Sequence, residues 1–476
     1  MKKTLIYNAM ILKENQNSEI IDHGYIVITD SIITEVNNGD PAHIKGYAQV
    51  INAQDKLVMP GLINGHCHSY ANYTKGLAPT IPLEHWMVYV MAQGELLTPE
   101  DMYWNAMLGS LEMIQSGTTC CVDHLAQGYD SLDAAMQAYE DSGMRAAIAP
   151  MIADKPYVAS LPIAVECLPR ILDVPTQPAE TLLDSTGKLY KKWHGVNDRL
   201  KVFLGPSGPQ RCSDELLSEA GRLAKQWQTG FHSHVLETKE QARAANLFYQ
   251  EPMLFHLDKL GCLNENTMLV HAVWLTDEEI ALTAKKDAVV VHNPSSNFVL
   301  GSGIAPINRY LGEGVTVTLG TDGVNVSGSH SMFGAVRLAA LIHNFSNPRP
   351  ETWVQPADVI RMATQNGARA FVDKRLGRIE AGAKADIIIL ALDHNCIMSP
   401  LNNVRWQVAY SDPSALVESV FVNGEAVMIN RQFLNVDEEK ILHEAKVRGD
   451  RLRKKFYDAK YQEVLSKIAA IKQIYQ

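Results

Sequence analysis

Four apolar stretches of this chain end in side chains that bind divalent metal ions. His66 and His68 close PGLINGHCH, His234 closes QTGFHSH, His271 closes TMLVH, and Asp322 follows VTVTLGT. Residues i and i+2 of a strand point to the same face, so the imidazoles of His66 and His68 can reach one ion. Histidines combined with one aspartate form a ligand set that leaves a coordination position open for water. The pattern therefore predicts a divalent metal site.

Each of these residues has a second interpretation when it is taken alone. A buried histidine such as His271 is often held by neighbouring backbone groups, and an aspartate such as Asp322 often caps the next helix. His232 forms a further HxH pair with His234, and we interpret it as a residue that packs or orients a ligand. Glu237 is a candidate acid, with a surface carboxylate as the alternative. The recurrence at four separate strand ends favours the metal site.

The elements that must position these residues alternate between strands and helices. TPEDMYWNAMLGSLEMIQSG, for example, starts with a Thr cap and an acidic first turn and ends at Gly, which is typical of a helix. Eight strand–helix units in about 315 residues predict a (β/α)8 TIM-like barrel, in which all strand carboxyl ends face one cavity. A doubly wound sheet is the alternative, but it gives no reason for ligands on four separated strands. The predicted strands are 57–63, 118–123, 145–149, 200–204, 229–233, 267–272, 288–292 and 315–320.

The segments before and after the predicted barrel have strand character. Short alternating runs such as GYIVITD and SIITEVN precede it, and VESVFVNGEAVMI follows it with VNGE as a hairpin signal. We predict a discontinuous small β-sandwich domain built from the N- and C-terminal segments. The predicted boundaries are 1–58 for the first sandwich part, 59–374 for the barrel, 375–436 for the second sandwich part and 437–476 for a C-terminal helical extension.

Composition and charge exclude several classes of protein. The 476 residues are 46% hydrophobic and 20% charged, with a formal net charge of −10, so a nucleic-acid partner is not expected. The most basic stretch, 448–456, is interpreted as a solvated helix face. Seven cysteines, an odd number that includes adjacent Cys120 and Cys121, argue against a disulfide framework. Without a signal peptide or an apolar run of about 18 residues, we expect a cytoplasmic protein with no membrane partner.

Several motifs together resemble a known family in both order and spacing. PGLINGHCH, HSHVLET, VHAVWL, HNPSSNFVLGSGIAP, GTDG and LGRIEAGAKADIIIL resemble the amidohydrolase superfamily. The similar branch contains cytosine/guanine-type and S-adenosylhomocysteine-type deaminases and triazine hydrolases. The resemblance covers roughly residues 5–435 and implies a TIM-like barrel with a composite β-sandwich. It also implies hydrolysis by a metal-activated hydroxide.

The resemblance assigns roles to the candidate residues. It implies that Glu237 protonates a ring nitrogen and then the leaving amine, while His271 polarises the developing tetrahedral oxygen. Asp322 takes a proton from the attacking water while it contacts the metal. The implied metal ligands are His66, His68, His234 and Asp322.

One metal ion is predicted. Two-metal sites in barrels of this kind commonly need a bridging carboxylated lysine at the end of the fourth strand. Here that strand ends in FLGPSGPQ, and its only lysine, Lys201, stands at its start. Histidine and carboxylate ligands without cysteine favour Zn²⁺, with Fe²⁺ as the alternative.

Residues that contact the substrate are expected in the loops after the strands. Trp86 is predicted to stack on a flat heterocycle, with core packing as the alternative. Glu95 is a candidate for holding ribose hydroxyls, as in S-adenosylhomocysteine-type relatives, and a helix-surface role is its alternative. Those relatives also use arginines after the third strand, where this chain has Pro150. Gln210 is a candidate for contacting an exocyclic group of the substrate. Asn297 is a candidate for lining the loop after the seventh strand.

These observations predict a metal-dependent hydrolytic deaminase of an amino-substituted N-heterocycle. The substrate classes considered are purines, pterins, pyrimidines and adenosine-type nucleosides. One alternative is a hydrolase that displaces chloride or an alkylamine from a triazine-like ring, or cleaves a urea or cyclic amide. Glu237 and His271 together favour deamination, because an amine leaving group needs a proton more than chloride does. The other alternative is a non-catalytic barrel scaffold. A homo-oligomer, dimer or higher, is expected from the look-alikes.

Overall fold

The fold was analysed in a computed structural model that describes residues 1–14, 19–162, 176–345, 347–393 and 395–471. Cys167 lies outside these ranges, and the six described cysteines are free thiols. Within the same ranges, no helix combines the length and apolar character needed to cross a bilayer.

Eighteen strands are described, and they belong to two structural units. The nine strands in the middle of the chain are parallel to one another, whereas the nine flanking strands are mostly antiparallel. The strands are β1 (Lys3–Leu12), β2 (Ile20–Thr29), β3 (Ile32–Asn38), β4 (Gln49–Asn52), β5 (Lys56–Pro60), β6 (Leu62–Cys67), β7 (Thr118–Leu125), β8 (Arg145–Ile152), β9 (Leu200–Val202), β10 (Gly205–Pro206), β11 (Phe231–Val235), β12 (Thr267–His271), β13 (Val289–His292), β14 (Thr316–Leu319), β15 (Ile387–Ala391), β16 (Val417–Val422), β17 (Glu425–Ile429) and β18 (Gln432–Phe433).

Strands β6 to β14 form a TIM-like barrel with eight strand positions. The parallel run β6-β7-β8 continues into β9 and β10, which together occupy the fourth position, and β11-β12-β13-β14 completes the set. A parallel bridge between Leu204 and Phe231 joins the two runs, and another between Cys67 and Asp322 closes the circle. The predicted barrel is therefore confirmed, and the doubly wound alternative is wrong.

Helices pack around this barrel and between its strands. Helix α2 begins with the predicted cap: Thr98 Oγ1 accepts from the backbone N–H of Asp101, and Asp101 accepts from that of Thr98. The helices are α1 (Leu83–Gly94), α2 (Pro99–Gln115), α3 (Tyr129–Ser142), α4 (Ala179–Trp193), α5 (Asp214–Trp227), α6 (Lys239–Tyr249), α7 (Met253–Lys259), α8 (Asp277–Lys285), α9 (Pro294–Val299), α10 (Ile307–Gly312), α11 (Val324–Ser327), α12 (Met332–Phe345), α13 (Pro356–Met362), α14 (Gln365–Ala370), α15 (Val404–Tyr410), α16 (Glu438–Ala459) and α17 (Tyr461–Ala470).

The bounds of the first predicted barrel strand, 57–63, are wrong. Lys56–Pro60 pairs with β15 in the flanking sheet, and the barrel strand is Leu62–Cys67. The chain changes sheet at Gly61, where a Cβ atom would lie 2.2 Å from Thr119 Oγ1. The apolar run KLVMPGLI is continuous because both strands are buried, so hydrophobicity alone gave no boundary.

The flanking strands form one nine-stranded sheet from both ends of the chain. Its order is β18-β17-β16-β15-β5-β1-β2-β3, with β4 paired to β1. The predicted VNGE hairpin is present between β16 and β17. A separate apolar cluster belongs to this sheet and includes Ile6, Ile26, Val58, Ile387 and Phe421. The N- and C-terminal segments therefore share a sheet and a core of their own.

Within the predicted C-terminal helical extension, 437–476, the described residues form two helices, α16 and α17. Residues Arg448, Leu452 and Phe456 of α16 are buried, so the basic stretch 448–456 is not wholly a solvated face. Arg448 pairs with Asp101 at 3.2 Å near the beginning of α2. The interpretation of this stretch was wrong for that face, because a pairing partner far away in sequence gives no local signal.

Candidate metal and active site

The carboxyl ends of the barrel strands bring the predicted residues together. His66 lies in β6 and His68 follows it, His234 lies in β11, His271 ends β12, and Asp322 follows β14. The backbone N–H of Asp322 donates to His66 O at 2.9 Å, which fixes the last strand beside the first. We call His66, His68, His234 and Asp322 the ligand set.

The spacing of the donor atoms suits a metal ion. Asp322 Oδ1 lies 3.3 Å from His68 Nε2 and 3.7 Å from His66 Nε2. With metal–nitrogen bonds of about 2.0–2.1 Å, neighbouring ligand atoms of a tetrahedral site are roughly 3.4 Å apart. His66 Nε2 is also buried and lacks a hydrogen-bond partner among the described residues. The separations among His66, His68 and Asp322 are therefore compatible with binding of one divalent cation.

Backbone carbonyls fix the tautomers of two of these histidines. His68 Nδ1 bonds His124 O at 2.5 Å, and His234 Nδ1 bonds Ser207 O at 2.6 Å. A carbonyl oxygen only accepts, so both Nδ1 atoms carry the proton and both Nε2 atoms present a lone pair. Such outer contacts commonly orient metal-binding histidines.

His66 is oriented by another imidazole rather than by a carbonyl. Its Nδ1 lies 2.9 Å from Nε2 of His232, and both rings are fully buried. Burial lowers the pKa of each ring well below its usual value, so both are neutral near neutral pH. Nε2 of His66 can bind a metal only if its Nδ1 donates to His232. His232 thus lies where it selects the metal-binding tautomer of His66.

A sixth histidine, His124, lies in the same cluster and was missed from the sequence. Its Nε2 donates to Gly205 O at 3.1 Å, and its Nδ1 is buried without a partner among the described residues. Donor atoms of His66, His124 and His234 all lie within 4.8 Å of one another. The signal was available, because His124 also closes an apolar run. Alternation from Cys120 would have placed it inside the barrel.

Glu237 and His271 face the ligand set from one side. His271 Nε2 lies 3.5 Å from Glu237 Oε2 and 3.7 Å from Asp322 Oδ2, while its Nδ1 bonds Asn297 Oδ1 at 2.9 Å. Burial, reinforced by the Asp322 and Glu84 carboxylates, raises the pKa of Glu237 well above its usual range. The raised pKa favours the protonated form of Glu237 over that of an exposed carboxyl, and Ser302 Oγ donates to its Oε1 at 3.2 Å.

Asp322 has the opposite electrostatic setting. Burial alone would raise the pKa of its carboxyl, but the surrounding imidazoles of His66, His68 and His271 hold it well below the usual range. Ser296 Oγ donates to Oδ2 at 2.5 Å. The backbone is left-handed at Asp322 (φ 63°) and His271 (φ 70°), a strained conformation that often marks functional sites. Two neighbouring carboxyl groups with divergent pKa values suit acid and base roles.

A cavity of about 460 Å³ opens above these groups, and its wall includes His68, His234, Glu237, His271 and Asp322. Burial and mainly apolar walls are typical of sites for small organic ligands. Other wall residues come from α1, the loop after β7 and the turn after β10.

The predicted substrate-contacting residues occupy different places around this cavity. Trp86 and Gln210 line it, and Gln210 Oε1 has no hydrogen-bond partner among the described residues. Glu95 lies at the rim with its carboxylate 2.6 Å from Lys460 Nζ of the C-terminal helices. Asn297 lies behind His271 and contacts that ring rather than the cavity surface. Tyr70 lines the cavity beside His68, with ring centroids 5.3 Å apart.

A family model described as "Amidohydrolase family" matches residues 57–427 of this chain. The match includes the whole barrel and every residue of the ligand set. The chain belongs to the amidohydrolase family. The resemblance drawn from its motifs is thereby confirmed, and this amidohydrolase is a hydrolase of carbon–nitrogen bonds other than peptide bonds.

Curated relatives of the amidohydrolase have names of deaminases. It is 32% identical to a 5-methylthioadenosine/S-adenosylhomocysteine deaminase of Thermoanaerobacter pseudethanolicus, over 94% of this chain and 99% of the relative. It is also 32% identical to a 5'-deoxyadenosine deaminase of Methanopyrus kandleri, over 89% of this chain and 93% of the relative.

A solved structure supports the same fold. An adenosine deaminase from Xanthomonas campestris, crystallised with bound zinc, superposes with a TM-score of 0.85 at 25% identity. The superposition covers 95% of this chain and 99% of that one. The amidohydrolase thus shares its barrel with a zinc-containing structure.

Proposed function

We propose that the protein is a metal-dependent hydrolytic deaminase of an amino-substituted N-heterocycle, with adenosine-type nucleosides as the first class to test. The observation that carries this proposal is the grouping of the Glu237 and Asp322 carboxyl groups around His271 Nε2, at 3.5 and 3.7 Å. The pKa of Glu237 is raised and that of Asp322 is lowered, so the two groups suit the acid and base roles that replacement of an amine by water requires.

The ligand set would hold one divalent metal ion, for which Zn²⁺ is the first candidate and Fe²⁺ the second. Its three imidazoles and one carboxylate match the preferences of both ions. When bound, such an ion supplies Lewis acidity and lowers the pKa of water toward neutrality.

The residues of the chain supply the proton transfers. Asp322 accepts a proton from the attacking water, because its carboxylate is ionised. Glu237 donates its proton to the ring nitrogen next to the attacked carbon and becomes ionised. It then takes the hydroxyl proton of the tetrahedral carbon and passes it to the leaving amine, and the proton held by Asp322 restores the protonated Glu237. His271 donates from Nδ1 to Asn297, so its Nε2 accepts hydrogen bonds until it becomes protonated. Once protonated, it stabilises negative charge on the attacked carbon's new oxygen.

The alternatives receive less support. Displacement of chloride from a triazine-like ring uses only one of the two proton transfers of Glu237, because chloride departs unprotonated. Cleavage of a urea or cyclic amide uses the same groups, and analysis of the product distinguishes this reaction from deamination. A non-catalytic scaffold accounts neither for the complete ligand set nor for the carboxyl groups with divergent pKa values. The relatives described above have names of deaminases, which also favours deamination.

We also propose that the nine-stranded sheet folds over as a β-sandwich, with the predicted domain boundaries near residues 58, 374 and 436. Its own apolar cluster, which joins strands from both termini, supports this arrangement. A homo-oligomeric state and a cytoplasmic location are further expectations from the sequence.

The deciding experiment measures ammonia release from a panel of adenosine-type nucleosides, purines, pterins, pyrimidines and triazines. The protein is loaded with Zn²⁺ and its metal content is quantified. Release from one ring class supports deamination and identifies the class. Asp322→Asn is the matched inactive control, because it keeps the shape but removes the base. Protein that holds about one metal per chain and releases no ammonia from any compound contradicts the proposal.

A further inference from the structure

The wall of the substrate cavity contains the cation Arg211, which has no carboxylate partner within the part of the chain that the structure describes. Arg211 belongs to the 3₁₀ turn Pro209–Arg211 that follows β10, next to the cavity residue Gln210. Among the described residues that line the cavity, Arg211 is the single lysine or arginine. Its guanidinium lies 5.5 Å from the ring centroid of Tyr157, which restricts its plane.

The hydrogen bonds of this guanidinium are incomplete. Nη1 donates to Ser207 Oγ at 3.0 Å, whereas Nε is buried without a partner among the described residues. Burial lowers the pKa of Arg211, and no carboxylate among the described residues offsets the loss of water. Arg211 is half-buried, and a charge partly removed from water without a partner is costly, so its position in a cavity wall favours a ligand that completes its hydrogen bonds.

The carboxylates of the same wall are already engaged elsewhere. None of them pairs with Arg211, and each has a hydrogen bond or an ion pair with another residue. These pairs are Glu84 with Thr238, Glu95 with Lys460, Glu237 with Ser302, Glu240 with Arg243 and Asp322 with Ser296.

Ser207 links Arg211 to the ligand set. Its hydroxyl accepts from Arg211, and its backbone carbonyl accepts from Nδ1 of His234 at 2.6 Å. One residue therefore separates the guanidinium from a metal-binding imidazole. Arg211 is therefore a neighbour of the ligand set in the cavity wall.

We propose that the heterocycle carries a carboxylate on a short arm and that Arg211 binds this carboxylate. The inference rests on the proposed deaminase function and names the substrate class. A planar guanidinium matches the two oxygens of a carboxylate. A phosphate dianion fits less well, because one arginine would face two charges in a cavity that also contains five carboxyl groups.

The test compares matched acid and neutral heterocycles in the Zn²⁺-loaded protein. The pairs are cytosine-5-carboxylate with cytosine, pterin-6-carboxylate with pterin, and adenosine-5'-carboxylate with adenosine. We expect the acid of one pair to have a kcat/KM roughly 10- to 100-fold above its neutral partner, from the strength of charge-assisted hydrogen bonds. In Arg211→Met this ratio should fall to about one or below, and Arg211→Lys should retain part of it.

Lys239→Met is the control variant, since Lys239 is an exposed cation over the ring of Trp274 and outside the cavity wall. It should keep the acid-to-neutral ratio of the wild type. An equal loss of activity on acid and neutral partners in both Arg211 variants would assign Arg211 a structural role and overturn the inference. A preference for neutral or phosphorylated compounds in the wild type would also overturn it.

Calorimetric binding of the same acids separates this inference from the proposed function. Arg211-dependent binding without ammonia release would support the carboxylate site and contradict deamination. Ammonia release from neutral compounds, with no Arg211-dependent gain for any acid, would support deamination and overturn the carboxylate site.

Discussion

At the scale of single residues, the site depends on which nitrogen of each imidazole carries the proton. Backbone carbonyls settle this for His68 and His234, and they cannot change role. His66 depends instead on His232, a ring that can donate or accept. The metal affinity should therefore be more sensitive to His232 than its distance from the cavity suggests.

His232→Leu removes the acceptor of His66 Nδ1 and should weaken metal binding by roughly 10- to 100-fold. His232→Gln can offer an amide oxygen in the same region and should lose less. Zinc affinity measured by competition with a chelator checks both variants. Equal affinity of wild type and His232→Leu would show that His66 needs no such partner.

Glu237→Gln should keep the metal content of the wild type and lower kcat by roughly 10²- to 10⁴-fold, because the amide cannot donate the acidic proton. Metal analysis and ammonia release measure the two quantities. Wild-type activity should also fall as pH rises through the elevated pKa of Glu237, since only the protonated carboxyl donates. Full activity in Glu237→Gln would remove this residue from the mechanism.

The raised pKa of Glu237 has a consequence for stability as well. A folded-state pKa above the unfolded value of 4.5 gives a stability contribution that is lost as pH rises through the folded value. The free energy of unfolding of metal-free Glu237→Gln, relative to that of metal-free wild type, should therefore increase as the pH rises from about 5 to about 9. Urea unfolding measures this difference. A difference that stays constant over this range would contradict burial of an ionising carboxyl.

Residue types and spacing predicted the ligand set, but not every neighbour of it. His124 was not predicted, because the predicted strand 118–123 ends at Asp123, a polar residue. In the fold Asp123 is buried and satisfied by Ser69 N at 2.8 Å and by the Tyr139 hydroxyl at 2.7 Å. Both partners lie outside the local strand, so no local pattern indicates them. Arg211 was not predicted for a similar reason, since a sequence does not show which arginine is without a carboxylate partner in the fold.

At the scale of elements, the passage from the flanking sheet into the barrel occurs at one glycine. Gly61→Ala would place a methyl group against the Thr119 side chain, 2.3 Å from Cγ2. We expect a loss of about 1–3 kcal/mol in the free energy of unfolding, which is typical of overpacking. Gly449→Ala, in α16 with no atom within 4 Å of its new Cβ, should instead stabilise by roughly 0.5–1 kcal/mol. Urea unfolding of both variants decides whether close contact at Gly61 is essential.

Element types were predictable from period and caps, whereas their sheet membership was not. KLVMP and LINGHC read as one apolar run, yet β5 pairs with β15 and β6 pairs with β7. Sheet membership is settled by contacts between segments far apart in sequence, which hydrophobic periodicity does not encode.

At the scale of the whole molecule, a buried ion pair fastens the barrel to the flanking sheet. Arg145 at the beginning of β8 binds both carboxylate oxygens of Asp386, at 2.8 and 2.9 Å, and Asn423 at 3.0 Å. Both charged side chains are almost fully buried. This junction is at the amino ends of the barrel strands, opposite the cavity, where residues serve stability.

Arg145→Met should lower the free energy of unfolding by about 3–5 kcal/mol, because Asp386 is left charged and buried. Arg145→Met combined with Asp386→Leu should recover much of that loss, since no unpaired charge remains. Lys192→Met, at an exposed pair with Asp133, is the control and should change stability by less than about 1 kcal/mol. A double variant as unstable as the single one would show that the pair itself provides the stability.

The shared sheet also constrains the order of events during synthesis on the ribosome. Strand β5 pairs with β15, which lies roughly 330 residues later, so about 17–66 s separate their emergence at 5–20 residues per second. During that interval one edge of the N-terminal strands has no partner from its own chain, and such edges recruit strands of other chains. The folding of newly made protein should therefore depend on chaperones and on a low growth temperature. In a crowded cell, the yield of folded protein would decrease before the activity of each folded molecule does.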